Sequence, residues 1–224
     1  MIHNWQLDEL AHAGPEHLDA DFIAGYDRKQ GFPDPADDIA AMRTAGLGSD
    51  STVVDLAAGT GQFARQAKEA FQRVVAVDVS PAMTAALTQH GLEVVQAGFL
   101  TFQPDGPLDG VFTRNALHQL PDFFKVVALQ RIADMLRPGG VLRVRDLIYD
   151  FAPSEVDAVF ADWFAGAADD PAAGYTAEDY AEHIRTEYST FRWLFEPMLT
   201  AAGFDIVDVE YERRLYGAYT CVKR

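Results

Sequence analysis

The sequence predicts an α/β protein whose sheet is parallel and covered by helices on both faces. Three observations lead there. Short β-branched runs alternate with helical segments between about Thr52 and Asp150. A glycine-containing turn joins the first run to the first of these helices. After about Pro153 the chain becomes rich in alanine and aromatics, then closes with two strand-like segments.

The elements follow in order. Residues to about Gly31 are polar with scattered apolar positions and read as short helices or an arm. In "DPADDIAAMRTAGL", Asp34 suits an N-cap, Pro35 suits N1 and acids fill the first turn, so a helix is expected, with Gly46 and Gly48 ending it. "TVVDLA" is a strand, and "QFARQAKEAF" a helix with Phe63, Ala67, Ala70 and Phe71 on one face. "RVVAVDV" is the second strand, followed by a helix with Ser80 as cap and Pro81 at N1. "LEVVQAG" and "LDGVFTRN" are the third and fourth strands. "FFKVVALQRIADML" is a long helix stopped by "RPGG", and "VLRVRDLIYDF" a fifth strand. The segment to Ala202 reads as mostly helical and as a lid. "FDIVDVEYERR" and "YGAYTCVKR" read as two strands joined by a short turn. The expected division is an N-terminal helical arm (1–48), a core (49–150), a helical lid (151–202) and the last two core strands (203–224).

Composition narrows the function. The 224 residues are 49% hydrophobic and 23% charged, an ordinary globular balance. No apolar run approaches the ~18 residues of a membrane span. "MIHNWQLDEL" lacks the basic and apolar regions of a signal peptide. Cys221 is the only cysteine, which excludes an internal disulfide and a Cys-rich metal site and fits a reducing cytoplasm. With 34 acidic against 18 basic residues, the net charge of −16 repels phosphate backbones and anionic lipid. A small-molecule partner is therefore expected, rather than nucleic acid or membrane. Oligomeric state is not readable.

The turn in "VVDLAAGTGQFA" poses the central question. Gly59, Gly61 and Ala64 fit a dinucleotide fingerprint by letter, yet Asp55 stands where such a strand is ordinarily apolar. Together with "VVAVDVSPAMTAAL", "LDGVFTRNALHQL" and "RIADMLRPGGVLRV", in order and at suitable spacing, this block resembles the class I S-adenosylmethionine (SAM)-dependent methyltransferases. The likeness covers roughly Asp50 to Asp150, and "TRNALHQL" is similar to a block in the ubiquinone/menaquinone-biosynthesis C-methyltransferases. The resemblance implies a Rossmann-like seven-stranded sheet, mostly parallel with an antiparallel final strand. It also implies SAM as cofactor and methyl transfer to carbon or oxygen of a small organic acceptor.

Physical chemistry supports SAM at this turn. Gly59 and Gly61 permit close backbone approach, and a helix starting near Gln62 offers N–H groups to a carboxylate. The resemblance assigns Asp55 to the methionyl ammonium. Asp78 and Val79 end the second strand, where the Asp78 carboxylate suits ribose hydroxyls. Taken singly, the glycines also suit an ordinary turn and Asp78 a helix cap. A non-catalytic SAM-binding protein and an NAD-dependent oxidoreductase stand as alternatives.

Two departures from the resembled pattern matter. Ala57 replaces the first glycine. At "VVQAGFLTF", Gly98 falls where many relatives carry an acid that contacts the adenine amino group, so the backbone of Gly98 and Phe99 is expected at the adenine edge.

Methyl transfer from a sulfonium needs alignment more than a fixed catalytic group. Arg114 and Asn115 end the fourth strand and, by resemblance, border the cofactor; offsetting local acids and capping a turn are equal alternatives. His118 suits a structural turn better than a base. Tyr26, with Asp27, resembles a pair that closes over SAM; a surface tyrosine is the alternative. Tyr188, Arg192 and Trp193 are candidate substrate contacts in the lid, while Phe191 and Phe195 read as core. No residue group has the spacing of a metal motif such as H-E-x-x-H.

Overall fold

Alternating apolar side chains in the predicted strands divide between two cores, one on each side of a single sheet. The computed structural model describes residues 5–12, 34–171 and 173–224. Strands β1 (Thr52–Leu56), β2 (Arg73–Asp78), β3 (Glu93–Gln96), β4 (Leu108–Arg114) and β5 (Leu136–Tyr149) are mutually parallel. A two-residue strand, β6 (Thr190–Phe191), pairs with the end of β5. Strands β7 (Phe204–Glu212) and β8 (Tyr216–Lys223) complete the sheet, whose path runs β3-β2-β1-β4-β5-β8-β7. Strand β8 pairs antiparallel with both β5 and β7, so it alone opposes the direction of the other strands on the path. The seven expected strands thus form one path, and β6 is an additional short ladder.

The helices are α1 (Glu9–His12), α2 (Ala36–Thr44), α3 (Gln62–Ala67), α4 (Pro81–Gln89), α5 (Asp122–Met135), α6 (Val156–Ala165), α7 (Ala177–Thr186) and α8 (Arg192–Ala201). Val54, Val75, Val111 and Leu142 face α5 and α8, meeting Leu129, Ile132, Phe195 and Leu199. Val53, Val74, Ala76 and Phe112 face the other way, meeting Met42, Phe63, Ala67 and Leu87. Coverage on both faces explains why these strands are near-continuous apolar runs. No helix among the described residues is long and apolar enough to cross a membrane.

Three boundaries differ from expectation. Helix α2 starts one residue late, but Asp34 still does the work of a cap: its Oδ1 accepts from the Ala36 N–H at 3.0 Å. Helix α3 stops at Ala67, because tighter turns from Glu69 and Ala70 swing the chain round to bury Phe71. The "RPGG" segment joins β5: Leu136 pairs with Leu108, and regular pairing resumes at Val141 with Gly110 after an irregularity.

The insertion has its own aromatic core of Leu147, Tyr149, Phe151, Trp163 and Leu215, with Phe160, Tyr180 and Phe191 packed against it. Polar contacts add to this packing. Lys125, buried in α5, donates to the Tyr188 carbonyl at 2.5 Å, and the Tyr188 N–H donates to the His118 carbonyl at 2.8 Å.

Candidate functional site

The sheet order reverses between β1 and β4, and a cleft opens at the C-terminal ends of these strands, the position where open α/β sheets hold ligands. It encloses about 700 Å³ including its open mouth. Ala57, Gly59, Asp78, Val79, Gly98, Phe99, Arg114 and Asn115 all line it, so these predicted residues converge on one place. Asp55 lines an adjoining recess with Ala57, Gly59 and Arg114. Gly61 stands at the head of α3 with φ of 80°, and a Cβ there would lie 2.5 Å from Leu87 Cδ2. Tyr26 lies outside the described residues.

The acids of the cleft are locked to backbone. Asp78 Oδ2 accepts from the Gly59 N–H at 2.8 Å and Oδ1 from the Ser80 N–H at 2.9 Å, which ties the glycine turn to the tip of β2. The Val79 amide also donates to this carboxylate, so of about four lone-pair sites one is left free for a ligand hydroxyl. Burial pushes the Asp78 pKa up to about 6. Asp55 Oδ2 accepts from the Ala64 N–H at 3.1 Å, and burial pushes its carboxyl up to about 7. Ala57 has φ of 63° and Asn115 φ of 47°, both left-handed. The first glycine of the resembled motif is thus replaced by a residue that keeps a glycine-like backbone.

Arg114 donates to Asp38 Oδ2 at 2.8 Å and lies over the Phe112 ring. Arg143 and Arg145 share the same fully buried carboxylate. Burial opposes charge on Asp38, but Arg145, Arg143 and Arg114 together hold its pKa below the ordinary range.

A residue missed by sequence reasoning completes the cleft. Glu9, in the single turn of α1, is buried, and its Oε2 accepts from the Leu100 N–H at 3.0 Å. Burial pushes it up to about 7 against the pull of the Leu100 and Phe99 amides. A Cβ on Gly98 would come within 2.4 Å of Glu9 Oε1. The one sequence signal was the missing acid at position 98; nothing in the sequence pointed to its counterpart far upstream.

His118 occupies a short turn directly behind the cleft and is buried. Its Nδ1 meets Asp146 Oδ1 at 2.5 Å, while Asp146 Oδ2 accepts from the Ala116 and Leu117 N–H groups. Its Nε2 lies 3.1 Å from Glu187 Oε2. Burial would lower its pKa, but the two carboxylates push it up to about 10. Glu187 also contacts His183 Nδ1, and both histidines hold its carboxyl well below the ordinary range despite burial.

The three lid residues expected at substrate do not line the cleft. Trp193 is 57% exposed and stacks on Phe191. Arg192 bonds Glu196 at 2.7 Å and lies over the Tyr211 ring. Tyr188 is 41% exposed, and it is its backbone that bridges Lys125 and His118.

Comparison with known proteins shows what this chain is similar to. A family model described as a methyltransferase domain matches residues 53–140. An uncharacterized methyltransferase from Exiguobacterium sibiricum is 27% identical over 163 residues, covering 72% of each chain. Trans-aconitate 2-methyltransferase from Mycobacterium tuberculosis is 31% identical over 102 residues, 45% of this chain and 38% of that one. The crystal structure of magnesium protoporphyrin IX methyltransferase from Synechocystis PCC 6803 with bound SAM has a TM-score of 0.66 at 14% identity, covering 99% of this chain and 100% of that chain.

Proposed function

We propose that the chain is a class I SAM-dependent methyltransferase, with SAM as its cofactor, and that it methylates a small organic acceptor, at carbon or oxygen; the match to a methyltransferase domain and the methyltransferase relatives support this. The observation that carries this reading is the cleft at the sheet's reversal point, where Asp78, the Gly59 turn, Gly98 and Asn115 converge. The cofactor, when bound, supplies a methyl group activated on a sulfonium. The chain's residues then bind, orient and exclude water, which is most of what such a displacement needs.

In this reading Asp78 accepts a ribose hydroxyl and Asp55 steadies the amino-acid end. Val79, Met83, Phe99 and Leu120 form apolar wall around the adenine. Glu9 takes the part of the absent acid at position 98, its carboxylate meeting the adenine amino group from the N-terminal segment. Arg114 and Asn115 border the methyl, and the acidic surface favours an uncharged or cationic acceptor over a polyanion. A cytoplasmic setting fits the single buried cysteine.

Calorimetric titration with SAM, SAH and NAD tests the cofactor site. SAM and SAH should bind, and Asp78→Ala should weaken both at least tenfold. Binding of NAD alone would sink the reading. An acceptor screen with mass-spectrometric detection of the added methyl then identifies the substrate; turnover of no organic small molecule would count against it.

A further inference from the structure

We propose that His118, His183 and Glu187 bind one divalent transition-metal ion of the zinc type, joining the helical insertion to the turn behind the cofactor cleft. His118 comes from the turn after β4, His183 from α7, and Glu187 caps α7 one helical turn later. One ligand atom from each, His118 Nε2, His183 Nδ1 and a Glu187 oxygen, lies within 4.8 Å of the others. Ligands held at ~2.0–2.1 Å around a tetrahedral ion stand about 3.3 Å apart, a spacing that small side-chain rotations reach from here. Two imidazoles and one carboxylate select zinc-like ions over magnesium or calcium, which favour all-oxygen shells.

The outer contacts set the tautomers that such an ion requires. Asp146 Oδ1 accepts from His118 Nδ1 at 2.5 Å, so Nε2, which faces Glu187 at 3.1 Å, is the nitrogen that would give up its proton to coordinate an ion. Ser189 Oγ lies 3.0 Å from His183 Nε2 and can accept its proton, which would leave Nδ1, already facing the same carboxylate, to coordinate. Metal-bound histidines ordinarily carry such a partner on the second nitrogen. Asp146 is itself held by three backbone N–H groups, from Ala116, Leu117 and Leu147.

A second observation points to a missing occupant. The Tyr149 hydroxyl is buried within the field of Glu187 and Asp146, and the neighbouring Ser189 hydroxyl does not meet it with hydrogen-bond geometry. Three protein ligands leave a fourth position open on a tetrahedral ion. A water there would give the tyrosine its partner. The ion would also add a link between α7 and the turn after β4, beside the Lys125 and Tyr188 backbone contacts.

The alternative is a metal-free network in which His118 carries both protons between its two carboxylates. The test uses the full chain, stripped with EDTA and free of any purification tag. Titration with Zn²⁺ should show one ion per chain, with a rise in melting temperature that EDTA reverses. His183→Ala and Glu187→Gln should each weaken binding at least tenfold, and Asp146→Asn should weaken it about 10–100-fold. Each variant is checked for retained circular dichroism and SAH binding. Zinc-edge X-ray absorption on the wild type needs no variant and should show two imidazole ligands. No tight Zn²⁺ binding, unchanged affinity in folded variants, or an imidazole-free shell would each overturn the proposal. The outcome is separable from the methyl-transfer reading, since SAH binding is measured apart from the metal.

Discussion

The Glu9 carboxylate fills the space that a side chain at Gly98 would need. A Cβ at position 98 would overlap both Glu9 oxygens, at 2.4 and 2.5 Å. Gly98 is therefore the condition for Glu9 to enter, and the two positions form one structural unit drawn from distant parts of the chain. Burying a carboxylate here costs free energy, as its raised pKa shows, and the Leu100 amide only partly offsets it. A group kept under such a penalty is expected to meet a ligand.

This pairing predicts a swap. Glu9→Ala should weaken SAH binding by about 10–100-fold, the value of a hydrogen bond to a charged group of ~1.5–3 kcal/mol. Gly98→Asp alone should unfold the site, because two carboxylates would collide. The double variant Glu9→Ala/Gly98→Asp should recover binding to within a few-fold of wild type. Calorimetry on the four proteins decides it, and a double variant no better than Gly98→Asp would sink the assignment.

Cofactor affinity should rise with pH. Asp78 and Asp55 have folded pKa values of about 6 and about 7, raised by burial from an ordinary 3.8. Both must be ionised to accept a ribose hydroxyl or pair with an ammonium. The stability contribution has the opposite sign. Between the unfolded and folded values the folded chain holds more protons, so the stabilisation these groups give is full below pH ~4 and lost as pH climbs to ~7. Melting curves at pH 5.5 and 8 should show a larger SAH-induced shift at pH 8. An equal or larger shift at pH 5.5 would contradict these roles.

Ala57 is expected to be a correctable strain. Its φ of 63° places an L-residue in the left-handed region, where glycine carries no steric cost. Ala57→Gly should stabilise the protein by roughly 1 kcal/mol, or about 2–4 °C in Tm for a chain of this size. The contrary change at Gly61, Gly61→Ala, should destabilise, since φ is 80° and Leu87 blocks the methyl. Paired melting curves test both; a Tm lowered by Ala57→Gly would mean that the methyl packs usefully.

Why some of this was legible in sequence and some not follows from range. Strand alternation, Ser80 and Pro81 at the head of α4, and the glycine turn are local patterns with local causes, and the structure repeats them. The meeting of Asp55 and Asp78 at one edge followed because the ends of adjacent parallel strands must lie together. Glu9 was invisible because its partner is at position 100, and sequence spacing carries no sign of a contact that long. His183 and Glu187 are spaced i,i+4, but their meeting with His118 depends on how the insertion docks. The lid aromatics misled for a related reason: Trp193 stacks on Phe191 at the surface, where periodicity cannot separate a packed ring from a ligand contact.

Asp38 should be the most sensitive polar position outside the cleft. Its fully buried carboxylate receives Arg143 at 2.9 Å, Arg145 at 3.2 Å and Arg114 at 2.8 Å, joining α2 to β4 and β5. Arg143 is 1% exposed; its other near partners are Thr220 Oγ1 at 2.9 Å and Glu210 at 3.6 Å. Asp38→Ala would leave that guanidinium in a low dielectric without its main counter-charge, a loss of ~3–5 kcal/mol. Removing charge from both sides avoids that penalty, so Asp38→Ala/Arg143→Met should regain part of the loss, with a coupling of ~0.5–3 kcal/mol. Urea midpoints on the wild type, both single variants and the double variant measure it. Arg114 also lines the cleft, so Asp38→Ala should weaken SAH binding as well as stability. If the loss in the double variant equals the sum of the two single losses, Asp38 does not act by neutralising Arg143.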